Sequence, residues 1–339
     1  MRKLLIALGI SCLTVTPVHA SDHSKEQPSD AVPMSVAAPI LAASPADAAR
    51  DAHTPGRVKV GYGRIITNDL IGDGKDRWRT GSVASSRVWA QGWTGTLPSS
   101  AGDLLELRFL GQIIAPDRID RFRPADRPYA GALSVGLHTH FKKGTIEWAL
   151  GGDVVAIGPQ TGLDDFQDGL HGIFGAPRLF PGMLVNQIPD TFRPTLVAEA
   201  GKDFVTAGGI RLRPFAEARA GDESLLRIGA DITIGGLNDG ALLVRDPVSG
   251  QRYKAVPPEE EFGGATFVLG ADIAHVFDSV YLPESRGYVL NDTRQRVRAG
   301  IHWKADTMGF FYGLTWLGRE FKAQPEGQFV GSLKLDLRF

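Results

Sequence analysis

The chain has 339 residues, a formal net charge of −1, one cysteine and 41 glycines. Charge near zero argues against nucleic acid as a partner, because phosphate binding needs a basic surface, and 43% hydrophobic residues exclude a wholly disordered chain. Glycine well above the usual ~7% argues against a helical protein, and past the N-terminus no apolar run reaches the ~18 residues of a membrane helix, which leaves a membrane β-barrel open.

In chain order, residues 1–20 read as a secretory signal. Arg2 and Lys3 precede the apolar run Leu4 to Val15, and Val18-His19-Ala20 supplies a small-residue cleavage site. Cys12 lies inside it, so the expected mature chain has no disulfide framework. Residues 21–57, rich in Ala, Pro, Ser and Asp without periodicity, read as a disordered periplasmic leader.

From 58 to 339 the chain alternates with period two. Its last segment is the clearest: Phe329, Leu333, Leu335, Leu337 and Phe339 share one face, and Ser332, Lys334, Asp336 and Arg338 the other. Twelve strands are predicted: 58–67, 80–92, 103–114, 129–141, 144–157, 193–205, 208–220, 224–236, 262–277, 294–305, 308–321 and 328–339. Alternation alone fits both a soluble barrel, with its apolar face inward, and a membrane barrel, with that face outward. The signal, the aromatic last residue Phe339 and aromatics at strand ends (Trp89, Trp93, Trp303, Trp316, Phe321) favour the membrane. The expected fold is therefore all-β: a twelve-stranded antiparallel transmembrane β-barrel with a short α-helix in an extracellular loop. Phe339 in that place resembles the C-terminal signal that directs bacterial barrels to the barrel-assembly machinery.

An even strand number puts both ends of the barrel on the periplasmic side. The connections 68–79, 115–128, 158–192, 221–223, 278–293 and 322–327 then fall on the outer rim, with tight inner turns at Lys142-Lys143-Gly144, Ala207-Gly208 and Asp306-Thr307. Connection 237–261 breaks the pattern, being long yet periplasmic.

The outer rim gathers unusual chemistry. The first connection runs from Asn68-Asp69 through Asp73, Asp76 and Arg77 to Thr80, and the second holds Arg118, Arg121, Arg123, Asp126 and Arg127. The third carries a predicted helix with Thr161 as its cap and Asp164 completing a weak capping box. Leu163, Phe166, Leu170, Ile173 and Phe174 share one face of it, with His171 at the border. A histidine to activate water, an acid to orient it or hold a metal, and cations for an anionic substrate make a hydrolytic site. Each also has a plainer reading: Asn-Asp as a turn, His171 as structural, and the arginines as contacts to neighbouring lipopolysaccharide phosphates. Asp73 and Asp76 match no EF-hand spacing.

The strings Asn68-Asp69, Asp76-Arg77-Trp78-Arg79-Thr80-Gly81, Asp126-Arg127-Pro128-Tyr129-Ala130-Gly131 and Ile157-Gly158-Pro159 with Gln167, His171 and Gly175 resemble the lipid A 3′-O-deacylase family of outer-membrane enzymes. The resemblance spans about 58–339 and weakens after about 190. It implies a twelve-stranded barrel and a site between the barrel wall and an extracellular-loop helix. It also implies calcium-dependent ester hydrolysis of the 3′-linked acyloxyacyl chain of lipid A, by chemistry like that of phospholipase A2. By the same resemblance His171 matches the general base, Asn68 and Asp69 the strand-one pair assigned to calcium or the oxyanion region, and Thr80 the polar residue opening strand two. Arg118, Arg121 or Arg123 matches the phosphate-binding position. Pro177 stands where some members carry an acid, and Pro181-Gly182-Met183-Leu184 replaces a tryptophan-containing stretch, while Asn186-Gln187 remains. The rival readings are an outer-membrane phospholipase A and a non-enzymatic barrel, either a pore or a structural surface protein.

Overall fold

The computed structural model describes residues 56–206, 208–236, 240–258, 263–305 and 307–337. The signal, Cys12, nearly all of the leader and the assembly signal at Phe339 lie outside the described residues.

Twelve strands form the wall: β1 (Val58–Asn68), β2 (Trp78–Ala90), β3 (Leu105–Ala115), β4 (Ala130–Lys143), β5 (Ile146–Ile157), β6 (Thr191–Gly201), β8 (Ile210–Ala220), β9 (Glu223–Ile234), β12 (Gly264–Ser279), β13 (Thr293–Lys304), β14 (Met308–Leu317) and β15 (Gln328–Leu337). The two-residue β7 (Phe204–Val205) extends the sheet beside β8. All pairings are antiparallel. The ring closes through β6–β8 and through β1–β15, the latter registered at Ile66–Leu333, Thr67–Ser332 and Asn68–Gly331. Among the described residues no helix is long and apolar enough to cross a membrane.

The burial pattern decides which way the alternation faces. On β15 Phe329 is 43% exposed and Lys334 7%; on β13 Val297 is 53% exposed and Arg298 3%. Charged residues point into the lumen and large apolar residues point out, the reverse of a soluble barrel and the arrangement a lipid solvent requires. The lumen charges are paired: Arg296 Nε donates to Asp272 Oδ1 at 2.9 Å, and Arg298 bonds both Asp272 and Asp231.

The long connection after β9 does not hang below the barrel. It enters the lumen as a hairpin, β10 (Leu242–Arg245) and β11 (Arg252–Val256). Polar contacts hold it: Arg245 to Glu199 at 2.8 Å and Asp231 at 2.9 Å, Tyr253 to Ser86 at 2.8 Å, and Gln251 to Thr315 at 3.2 Å. Gly61 and Gly63 of β1 permit this approach, since a Cβ on either would lie 2.2 Å from the Ala255 carbonyl or 2.5 Å from that of Lys254.

We call the edge bearing the ends of the barrel chain the terminal rim. Beneath the opposite rim, Arg79 donates to Glu320 at 2.7 Å and Arg127 to Glu320 at 2.5 Å. Burial works against the Glu320 carboxylate, but Arg79, Arg127 and Arg294 outweigh it and hold its pKa below the ordinary range. Its contribution to stability is thus present above the ordinary glutamate range and lost as pH falls through the lowered value. Glu320→Gln leaves buried guanidinium charge uncompensated. The expected cost is about 3–5 kcal/mol, read as a lower temperature for the loss of heat-modifiable migration in gels.

Candidate active site

The first elements of the rim are loop 69–77 and the start of β2. Asn68 Oδ1 accepts the Leu70 N–H at 2.8 Å, an Asx turn that bends the chain out of β1. Asp69 follows and is 1% exposed. Its Oδ2 accepts the Arg77 N–H at 2.7 Å and its Oδ1 the Thr80 hydroxyl at 3.2 Å. Burial pushes the Asp69 carboxyl up to about 8; the bonds from Arg77 and Thr80 oppose this, and the neighbouring acids Asp76 and Asp73 add to it. Among the described residues no cationic side chain forms an ion pair with Asp69.

Two backbone irregularities shape this corner. Trp78, fully buried, has φ 51°, in the left-handed region that non-glycine residues avoid. Arg77 stacks on its ring at 4.0 Å and bonds Glu326 at 2.8 Å and Asp73 at 3.2 Å. The β2–β3 register then shifts between Arg79 and Gly81, which makes Thr80 a bulge residue with no partner on β3. Bulges re-aim side chains beside active sites, and here the Thr80 hydroxyl reaches both Asp69 and Asp76.

The third connection brings the histidine. A 3₁₀ turn (Pro159–Thr161) leads into α1 (Leu163–Phe174). The expected Thr161 cap is corrected: the N-cap is Gly162, left-handed at φ 63°, with no side-chain cap bond. Thr161 instead donates its hydroxyl to the Gly158 carbonyl at 2.8 Å, because the intervening glycine turns the chain before the helix begins. The apolar face of α1 points outward, with Phe166, Ile173 and Phe174 exposed; Gln167 is its buried residue. The polar stripe Asp164, Gln167, His171 therefore faces the barrel.

Gly175, left-handed at φ 69°, ends α1, and its N–H bonds the His171 carbonyl. The returning segment is pinned when the Leu179 N–H donates to Asp168 Oδ1 at 3.1 Å. This fold-back sets the Pro177 carbonyl 2.6 Å from His171 Nδ1. A carbonyl only accepts, so Nδ1 carries the proton of that bond and Nε2 is the nitrogen left to exchange one. Pro177 thus supplies its backbone to the ring. His171 Nε2 lies 3.0 Å from Asp76 Oδ2.

Asp76 is the meeting point. Besides His171 it accepts the Thr80 hydroxyl and, at 3.2 Å, Gln167 Nε2. Gln167 Oε1 in turn accepts the Tyr129 hydroxyl at 2.9 Å. Four predicted residues are thereby sorted: His171, Thr80 and Asp69 come together around Asp76, while the Asn68 side chain serves the turn next to them. Asp76, Gln167 and Tyr129 are additional members. All three sit inside the recognised strings, but nothing in linear spacing marks Asp76 as the histidine's partner across 95 residues.

The loop arginines lie apart from that centre. Arg118 forms a two-pronged pair with Asp120 at 3.0 Å per bond, Arg121 reaches the same carboxylate at 3.4 Å, and Arg123 reaches Asp117 at 3.4 Å. Arg118 and Arg121 hold the Asp120 carboxyl below its usual range. Arg121 and Arg123, but not Arg118, line a small cleft with Phe122, Tyr129, Met183 and Tyr288. Tyr129 connects this cleft to Asp76 through Gln167.

No set of three or more His, Cys, Asp or Glu side chains forms a metal cage among the described residues. The donors that do converge are hard oxygens: the Asp69 and Asp76 carboxylates and the Thr80 hydroxyl. Calcium takes such oxygens and completes its shell with carbonyls and water. A buried carboxyl flanked by two further acids, with no cationic partner, fits a bound cation.

Comparison with known proteins adds the following. The profile of the family described as outer membrane protein LpxR matches residues 34–339. Among solved structures, LpxR from Salmonella typhimurium is similar at 18% identity and TM-score 0.65, covering 82% of this chain and 100% of that one. The NanC porin is similar at 6% identity and TM-score 0.36, covering 83% and 100%. No curated protein matches the chain.

Proposed function

This chain belongs to the outer membrane protein LpxR family, and from that premise we propose that it is a lipid A 3′-O-deacylase whose site faces the cell exterior. The observation that carries the reading is the doubly held imidazole, with Nδ1 fixed by the Pro177 carbonyl and Nε2 directed at Asp76. That is the geometry of a general base whose tautomer is set by its support.

In the proposed reaction the 3.0 Å contact between His171 Nε2 and Asp76 opens to admit a water, which frees Nε2 to accept a proton. Asp76 accepts one of its hydrogens and Nε2 takes the other as the oxygen attacks the 3′ ester carbonyl. When the tetrahedral intermediate collapses, Nε2 returns the proton to the leaving sugar oxygen, giving a free hydroxyl and a fatty acid. Asp69, Thr80 and Asp76 are the residues that would hold calcium. Bound there, calcium would supply Lewis-acid stabilisation of the developing oxyanion. Arg121 and Arg123, at the cleft, would pair with a glucosamine phosphate. The outward apolar face of α1 would sit among acyl chains, so the lipid need not leave its leaflet. The hairpin in the lumen speaks against the pore reading.

Mass spectrometry of lipid A from cells with and without the protein tests this. Loss of the 3′ acyloxyacyl group is expected; unchanged lipid A would overturn the reading, and release of glycerophospholipid acyl chains would instead favour the phospholipase. Chelating calcium should arrest turnover by the purified enzyme, and full activity in chelator would count against the metal. Arg121→Gln with Arg123→Gln should raise KM about tenfold while leaving kcat near wild type, since the arginines touch a part of the substrate that does not react. A fall in kcat alone would contradict that role.

A further inference from the structure

The proton on His171 Nδ1 has a competitor. Asp76 Oδ2, 3.0 Å from Nε2, draws the ring's proton toward Nε2, whereas general-base work needs Nε2 free to accept one. The Pro177 carbonyl at 2.6 Å holds a proton on Nδ1 instead, so its distance from the ring has to be kept short. Ring and carbonyl belong to different pieces of chain, the ring to α1 and the carbonyl to the return 176–180.

On its barrel side the return is anchored by Leu179, buried with Ile119, Tyr129 and Met183, and by the Phe180 N–H, which donates to the Ile119 carbonyl at 2.9 Å. Those anchors place it against the second connection, not against the helix that carries the ring. The helix side chain that reaches it is Asp168, three residues before His171 and on the same side of α1. Its Oδ1 accepts the Leu179 N–H at 3.1 Å and its Oδ2 bonds Arg178. One carboxylate thus grips the two residues that follow Pro177. The bonds from Arg178 and then from the Leu179 amide hold this carboxyl below its usual range, so it stays ionised at neutral pH. Gly172 leaves room for the grip, since a Cβ there would lie 2.6 Å from Arg178 Nη2. The Arg178 side chain is 65% exposed, and so open an ion pair adds little to stability. What it fixes is a distance.

We propose that Asp168 is a positioning residue: it latches the return to α1, so that the Pro177 carbonyl keeps a proton on Nδ1 and leaves Nε2 to act as the base. The catalytic consequence rests on the deacylase reading; the latch itself can be read without turnover.

The test is nitrogen-15 NMR of the detergent-solubilised full chain with labelled histidine, the His171 signal being identified by its loss in His171→Ala. Wild type is expected to show a slowly exchanging proton on His171 Nδ1. Asp168→Ala should lose that signature and lower kcat for lipid A about tenfold with KM little changed, a smaller effect than the ~10²-fold that a 1 Å misplacement can cause. Asp168→Asn keeps an oxygen for the Leu179 N–H and should restore most of both. Retention of the protected Nδ1 proton in Asp168→Ala, with heat-modifiable migration intact, would overturn the proposal; so would loss of that proton with kcat unchanged. Should that variant not fold, Asp168→Glu keeps the charge but moves the oxygens by a methylene. Loss of the protected proton there supports the latch, and its retention overturns it. A wild type that shows the latch response but releases no acyl chain from lipid A would support the latch and overturn the deacylase reading alone.

Discussion

His171→Ala should lower deacylation about 10³-fold, within the range that general-base catalysis contributes, and leave the barrel folded. The ring belongs to a helix outside the wall, and its partners are a loop carbonyl and a carboxylate on another loop. Lipid A released by the variant, measured by mass spectrometry beside its heat-modifiable migration, gives both readings at once. Normal turnover by a folded variant would remove His171 from the mechanism. Mutating Pro177 is a poor substitute experiment, because the contact is made by its backbone and survives most side-chain changes.

Asp76→Asn should cost about 10²-fold in kcat with KM little altered. Asp76 is hydrogen-bonded or paired to His171, Thr80 and Gln167 together. An asparagine retains the volume and loses the charge that would hold water and cation, and displacement of a reacting group by ~1 Å is enough for a loss of this order. If the charge merely steadied the loop, the variant would unfold more readily and turn over normally while folded. Wild-type kcat in the folded variant would sink the assignment.

Period-two patterning made the wall legible. All twelve predicted strands correspond to observed ones, with ends displaced by a few residues, because each strand must alternate to separate lumen from exterior. The facing direction was less accessible. Phe329 and Lys334 alternate in either kind of barrel, and only the closed ring shows which of them is inside. Nothing in the sequence marks the luminal hairpin, because 237–261 carries no sustained alternation: Leu242, Leu243 and Val244 are consecutive and all buried, as are Tyr253, Ala255 and Val256. In the site, the residue types and the rim were readable from loop parity and from the family strings. The Asp76–His171 contact was not, since it depends on the left-handed glycines at 162 and 175 and the bulge at Thr80, which set directions that spacing does not encode.

The hairpin also ties the closing seam to the lumen. It is threaded between β9 and β12 in the chain, yet it packs on the inner surface of β1, at the other end of the barrel sequence. β1 therefore does two things at once: its edge closes the ring on β15, and its inner face carries the hairpin. The join between the first and last strands is registered at three residue pairs, so the hairpin's hold on β1 backs the seam that runs up to the loop where Asp69 and Asp76 stand.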